Sequence, residues 1–218
     1  MKKIKPILPK YAFFPIICAV SANMLAFYGT RPFNQGMYHY DLSLWIDGAI
    51  PFVPQAIVFY VLAFVSWVVG YVVTCRESRE VCNQVMAGEV MAKLTCLVIF
   101  LLLPTSMERP EVTGTGFCHW LTRFIYAADT PDNLFPSVHC LENWMLFRAS
   151  FRCRKVGNAY RVGMFVMALL VFASTLLVKQ HLFVDVLAGV AVAELCLRLS
   201  DRLRAGRVFA AIGRRWGW

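Results

Sequence analysis

The sequence predicts an all-α, polytopic membrane protein: a six-transmembrane-helix bundle with both termini cytoplasmic. Three observations carry that prediction. The 218 residues are 59% hydrophobic and only 16% charged, with a mean hydropathy of +0.57, which is more apolar surface than a soluble domain of this length can cover. Apolar runs fall at about 11–29, 51–74, 94–106, 160–178 and 182–199, each at or near the ~20 residues that a bilayer core requires. Lysines and arginines gather in the segments that successive crossings leave on one side. One domain covering 1–218 is expected, with neither a low-complexity linker nor an internal repeat.

The first run follows Lys2, Lys3 and Lys5. Val20-Ser21-Ala22 has the small-residue character of a signal-peptide cleavage site, but the apolar stretch continues through Met24, Leu25, Ala26 and Phe27. A retained helix is therefore expected. The second and third runs are uninterrupted, and Arg76, Arg79 and Lys93 between them are assigned to the inner side. The third span exits outward, whereas the basic run from Arg148 to Arg161 belongs inside, so a weakly apolar span near 136–152 must cross. Its Glu142 and Asn143 are expected to face other helices, while Arg148 and Arg152 snorkel to the interface. The last two runs complete the bundle. Glu194 and Arg198 then form an i,i+4 pair, and the tail adds Arg202, Arg204, Arg207, Arg214 and Arg215.

Only Arg31, Arg109, Arg123 and Lys179 remain outside. The net charge of +9 is therefore a positive-inside pattern. Nucleic acid is excluded as a partner, because such a surface concentrates charge on one folded face among stacking aromatics. The eight cysteines show no CxxC spacing and read as small buried hydrophobes; only Cys118 and Cys140 fall towards the oxidising side.

Between His139 and His181 lie 41 residues, about the length needed to cross a bilayer, turn and cross back. Both imidazoles are thus expected at the outer face. Ser137 suits an N-cap, and helices starting near Ser137 and His181 aim two positive dipole ends at one place. Arg109 and Lys179 add full charges, so the site suits an anion, phosphate above all. His181 and Asp185, four apart, share a helical face; Asp185 fixes the tautomer and leaves the other nitrogen free for attack. His139 supplies a proton to a leaving oxygen. Two imidazoles and these cations suffice for phosphoryl transfer, and no metal or other cofactor is expected, since Arg109 and Lys179 repel a cation. His39 and His119 read as interfacial, Trp45 and Trp120 as belt anchors, and Asp132 and Asn133 as loop caps. The connection from Arg109 to Pro136, rich in aromatics, suits a segment lying along the headgroups.

Arg109-Pro110, then Pro136-Ser137-Val138-His139, then Ser174 with His181 and Asp185 resemble, in order, the three motifs of the type-2 phosphatidic acid phosphatase superfamily. Those motifs read Lys-x6-Arg-Pro, Pro-Ser-Gly-His and Ser-Arg-x5-His-x3-Asp, and the likeness spans about residues 102–185. The resemblance implies His181 as a phosphohistidine-forming nucleophile oriented by Asp185, His139 as general acid, and Arg109, Ser137 and Ser174 as phosphate ligands. The chain departs from the pattern at Leu102, Val138 and Thr175, with Lys179 as the candidate replacement for a missing cation.

The expected function is that of a membrane lipid-phosphate phosphatase acting on phosphatidate-like or isoprenoid (di)phosphate lipids at the outer leaflet. The alternative is a headgroup phosphotransferase using an alcohol acceptor, since Val178-Lys179-Gln180-His181 resembles the sphingolipid-phosphotransferase branch. A non-catalytic lipid-binding or transport protein is the reading from another class. The expected partners are a lipid phosphate substrate and membrane lipids, and the expected location is a bacterial inner membrane with the site facing the periplasm.

Overall fold

A computed structural model describes residues 6–215; Lys2, Lys3 and Lys5, expected among the inner charges, lie outside the described residues. Among the described residues every regular element is a helix. The first, α1 (Lys10–Phe27), buries Ala12, Pro15, Ala19, Ala22 and Ala26 at alternating spacings of three and four. That stripe of small side chains lets α1 approach closely the helix it packs on. Two short helices follow, α2 (Arg31–Asn34) and α3 (Trp45–Ala49), and a 3₁₀ turn at Pro54–Ala56 leads into α4 (Ile57–Glu77). Ser78 alone separates α4 from α5 (Arg79–Leu102), and its hydroxyl accepts from Val81 N at 3.1 Å as the N-cap.

Helix α5 begins at Arg79, well before the apolar run near residue 94. Glu80, Asn83, Gln84, Glu89 and Lys93 depress its hydropathy, yet Glu89 and Lys93 are buried inside the bundle at 0% and 1% exposure. Lys93 Nζ lies 2.7 Å from Glu142 and 3.8 Å from Glu89. Lys93 is thus a core charge and not a loop charge, which corrects its assignment to the inner side.

The chain continues through α6 (Phe117–Ala128), α7 (Val138–Ser150), α8 (Asn158–Leu177), α9 (Phe183–Leu203) and α10 (Gly206–Arg215). Helices α1, α5, α7 and α9 share a core of Ala26, Ala92, Phe100, Leu141, Met145 and Ala193. The outside of the bundle is apolar as well, with Val65, Val68, Leu169 and Leu195 exposed, as a lipid-facing surface requires. Among the described residues, four helical segments are long and apolar enough to cross a membrane: Lys10–Asn34, Pro54–Glu77, Arg79–Leu102 and Asn158–Leu177. Helix α7, with 13 residues, spans only about 20 Å. Helix α9 has the length but carries Asp185, Glu194, Arg198, Asp201 and Arg202.

Helix α6 is amphipathic. Its Cys118, Leu121 and Ile125 pack against Ala56, Ile57, Tyr60 and Val178, while Phe117, Trp120 and Phe124 stay exposed as a stack with ring spacings of 5.9 Å. The segment between Arg109 and Pro136 thus contains an amphipathic helix with an exposed aromatic face.

Candidate functional site

A cavity of about 220 Å³ opens at the end of the bundle where α1 and α5 finish and α7 and α9 begin. Met24 and Phe27 of α1 and Tyr60, Phe64 and Trp67 of α4 form most of its apolar wall; Asn23, Arg109, Asp129, His139, Gln180 and His181 supply polar groups.

The two helix starts meet directly. Ser137 caps α7, its hydroxyl accepting from Cys140 N at 3.3 Å, and its own N–H donates to the Asp185 carbonyl at 3.0 Å. The approach depends on Gly189, where a Cβ would sit 2.5 Å from the Ser137 carbonyl oxygen. Asp185 caps α9 by accepting from Leu182 N at 2.8 Å. The same oxygen, Oδ2, lies 3.4 Å from His181 Nδ1, although the pair is not aligned as a hydrogen bond. His181 precedes α9 and does not share a helical face with Asp185; the two meet because Asp185 reaches back over the helix start.

The turn that presents His181 ends α8 in a Schellman motif. Gln180 N donates to Thr175 O at 2.9 Å and Lys179 N to Leu176 O at 3.2 Å, with Lys179 left-handed at φ 50°. Glycine usually occupies that position. Here Lys179 Nζ donates to the carbonyls of Asp47 and Ile50 at 2.8 and 2.6 Å, which fastens the turn to α3 and its following loop. Lys179 therefore holds the turn from the far side of His181, lining a separate hollow with Asp47 and Glu108, and is not in the cavity wall with Arg109.

His139 projects from the first turn of α7 into an aromatic surround. Its ring centroid lies 4.3 Å from Tyr60, 5.3 Å from Trp67, 5.7 Å from Phe64 and 5.9 Å from His181. Arg109 lies 4.8 Å over the Tyr126 ring, donates from Nη1 to the Asp129 carbonyl, and donates from Nη2 to Gln180 Oε1 at 2.6 Å. Burial lowers the Arg109 pKa, with Asp129 opposing the shift, but a guanidinium has ample range to stay charged. Burial also raises Asp129, against the pull of His181 and Arg109. It pushes Tyr126 up to about 12, so this hydroxyl stays protonated and donates to the Val178 carbonyl at 2.7 Å.

Six residues of the cavity wall hold a buried polar atom without a hydrogen-bond partner: Asn23 Oδ1, Trp67 Nε1, Arg109 Nε, His139 Nε2, Gln180 Nε2 and His181 Nδ1. Such atoms are costly unless something else satisfies them. Five of them are nitrogens, and those of Trp67, Arg109 and Gln180 carry a hydrogen to donate to an anion.

Of the residues singled out in the sequence, Arg109, His139 and His181 meet in the cavity, and Asp185 backs His181. Ser137 and Ser174 do not line the wall. Ser174 is buried in the last turn of α8 and donates to the Val171 carbonyl at 2.8 Å, inside the helix and not in the hairpin. Among the departures from the three motifs, Val138 lines the cavity, Thr175 is buried in α8, and Leu102 is 77% exposed at the end of α5. Asp132 and Asn133 both line the mouth: Asp132 binds Arg31 at 2.9 Å, and the Asn133 amide donates to Thr30 and to the Phe27 carbonyl.

Gln180 is the cavity residue to which sequence reasoning gives no role, together with the wall of Tyr60 and Trp67. Its signals are its position beside His181 at the end of an apolar run and its place in Val178-Lys179-Gln180-His181. No group of three His, Cys, Asp or Glu side chains sits in a metal-ligating cluster among the described residues. The chain matches no protein-family model and no curated protein.

Proposed function

We propose that this protein is a membrane-embedded lipid-phosphate phosphatase working through a phosphohistidine on His181. In this reading α7 and α9 complete a six-span bundle with the termini in the cytosol, and the cavity opens at the outer leaflet. What carries the proposal is the meeting of His139, His181 and Arg109 on one buried wall whose polar nitrogens lack partners. Nitrogen donors around an apolar space suit a phosphate whose lipid tails remain among Met24, Phe27 and Phe64.

The lipid phosphate enters with its non-bridging oxygens toward Arg109 and the Gln180 amide. Asp185, near Nδ1 of His181, orients the ring and leaves Nε2 to attack phosphorus. The N–P bond forms as the P–O bond to the lipid breaks, and His139 gives its proton to the departing alkoxide. Water, losing its proton to His139, then attacks phosphorus. The N–P bond breaks, inorganic phosphate leaves, and both histidines return to their starting states.

Purified protein supplied with a radiolabelled lipid phosphate, with and without alcohol acceptors, tests the reading. Free phosphate as the labelled product in both arms supports the hydrolase. Label appearing in a new phosphodiester only when alcohol is present would replace it with the headgroup transferase. No turnover of phosphatidate or isoprenoid diphosphate would leave a binding protein.

A further inference from the structure

We propose that a second anion site, at the end of the bundle opposite the cavity, binds the phosphate of an anionic phospholipid. Helix α5 runs 24 residues from this end to the cavity end, about 36 Å at helical rise. Basic residues here far outnumber the acids Glu77, Glu80, Glu194 and Asp201. Most of those acids are committed: Glu194 pairs with Arg148 and Arg198, and Asp201 holds Arg152 at 2.9 and 2.7 Å. Arg79, Arg204 and Arg207 line one hollow of about 720 Å³ between the start of α5 and the α9–α10 turn. None of the three has a carboxylate partner among the described residues. Arg79 lies only over the Tyr11 ring, at 5.4 Å.

The hollow has a fixed frame. Gln84 Nε2 donates to Ser200 Oγ at 2.8 Å, that hydroxyl donates to the Gln84 carbonyl at 3.0 Å, and Gly206 N donates to Gln84 Oε1 at 3.2 Å. Gly206 passes so close that a Cβ would sit 2.8 Å from the Gln84 backbone nitrogen. Arg204 caps α9 in the left-handed region at φ 51°. These contacts fix the backbone from which Arg204 and Arg207 project, and guanidinium groups bind phosphate through paired N–H donors. Glu80 is the one acid of this wall without a basic partner among the described residues, so the wall keeps a positive balance.

A lipid fits better than a free anion because the hollow adjoins apolar exterior. Val208 on α10 and Leu203 at the end of α9 are both exposed, while Phe209 anchors α10 against Phe14 with ring centroids 5.9 Å apart. Helix α10 thus presents arginines to a headgroup and Val208 to its chains, the arrangement of an interfacial amphipathic helix.

Native mass spectrometry of the purified full chain, offered phosphatidylglycerol or phosphatidylcholine in mixed micelles, tests this. Wild type should retain phosphatidylglycerol in several-fold preference, and the triple variant R79Q/R204Q/R207Q should fall to parity. The charge-keeping triple R79K/R204K/R207K should keep part of the preference. Parity in wild type, or an undiminished preference in the glutamine triple, would overturn the proposal. Equal displacement by inorganic phosphate would also overturn it, in favour of a small-anion site. Should the triple fail to fold, R207Q alone on the outer surface of α10 must still weaken the preference, and the wild-type preference must decline with added salt.

Discussion

Two groups of buried polar side chains lie at different depths in this bundle, and their difference separates chemistry from architecture. At the cavity end, His139, Gln180, His181 and Arg109 surround open space, with polar atoms that no protein group satisfies. Deeper in, Glu89, Lys93 and Glu142 are packed shut at 0%, 1% and 4% exposure. There Lys93 lies between two carboxylates at 2.7 and 3.8 Å, and Tyr71 donates to Glu142 at 2.6 Å. The first group has donors waiting for an anion. The second holds one cation between two carboxylates and ties α4, α5 and α7 together; Glu89 and Lys93 Nζ also lack an aligned hydrogen bond, but they line no cavity that could admit a ligand. Buried polarity beside a cavity reads as a binding site; buried polarity without room reads as a fastening.

The sharpest way to separate the two is to damage each and watch a different quantity. His181→Ala should cost turnover of a lipid phosphate about 10⁴-fold or more while the melting temperature in detergent barely moves. A comparable loss of stability would mean that the cavity wall also holds the fold. Lys93→Met should do the reverse. Removing the cation strands two carboxylates in the core, a loss of about 3–5 kcal/mol in unfolding free energy, readable by denaturation in detergent. The folded fraction should still turn over substrate. Intact stability with abolished turnover would bring the cluster into the chemistry.

Those two variants also mark how far the sequence is legible. Motif order and spacing alone point Arg109, His139 and His181 to one face, because charge and imidazole are conspicuous in an apolar chain. Helix existence is equally plain wherever apolar runs are unbroken. The first half of α5 is hidden because hydropathy counts Glu89 and Lys93 as polar wherever they lie, and only the fold reveals that they neutralise each other. The wall of Tyr60 and Trp67 is hidden for the opposite reason, since aromatics inside an apolar run resemble ordinary core. Lys179 misleads through its charge. Its ammonium secures a turn through Asp47 and Ile50, and the residue that this turn delivers to the cavity is the uncharged Gln180.

Gln180→Leu sharpens the comparison further. Arg109 donates to Oε1, so the amide nitrogen is free for the ligand. Losing a hydrogen bond to a charged group costs about 1.5–3 kcal/mol, and vanadate or phosphate binding measured by calorimetry should weaken roughly 10- to 100-fold. Stability should fall only modestly, because the variant removes an unsatisfied amide nitrogen together with the Oε1 that accepts from Arg109 Nη2. Unchanged affinity would take Gln180 out of the site.

The smallest effect is expected at Asp129, whose carboxyl burial raises above the ordinary carboxylate range. Above that raised pKa it is an anion beside an anion site, so Asp129→Asn should tighten phosphate-analogue binding a few-fold at neutral pH. As pH falls through the raised value, wild-type Asp129 takes up its proton and the two affinities should converge. The same uptake favours the folded state, so any contribution of Asp129 to stability should fall as pH rises from the unfolded carboxylate pKa to the raised one. A constant ratio of affinities across that window would contradict the assignment.

The most direct measurement is a rapid quench of the full-length protein after brief exposure to a ³²P-labelled lipid phosphate, followed by peptide mapping. The account predicts an acid-labile, base-stable label on His181 that is absent from the His181→Ala variant. Sustained turnover with no label on that imidazole, or a label carried by another residue, would contradict it.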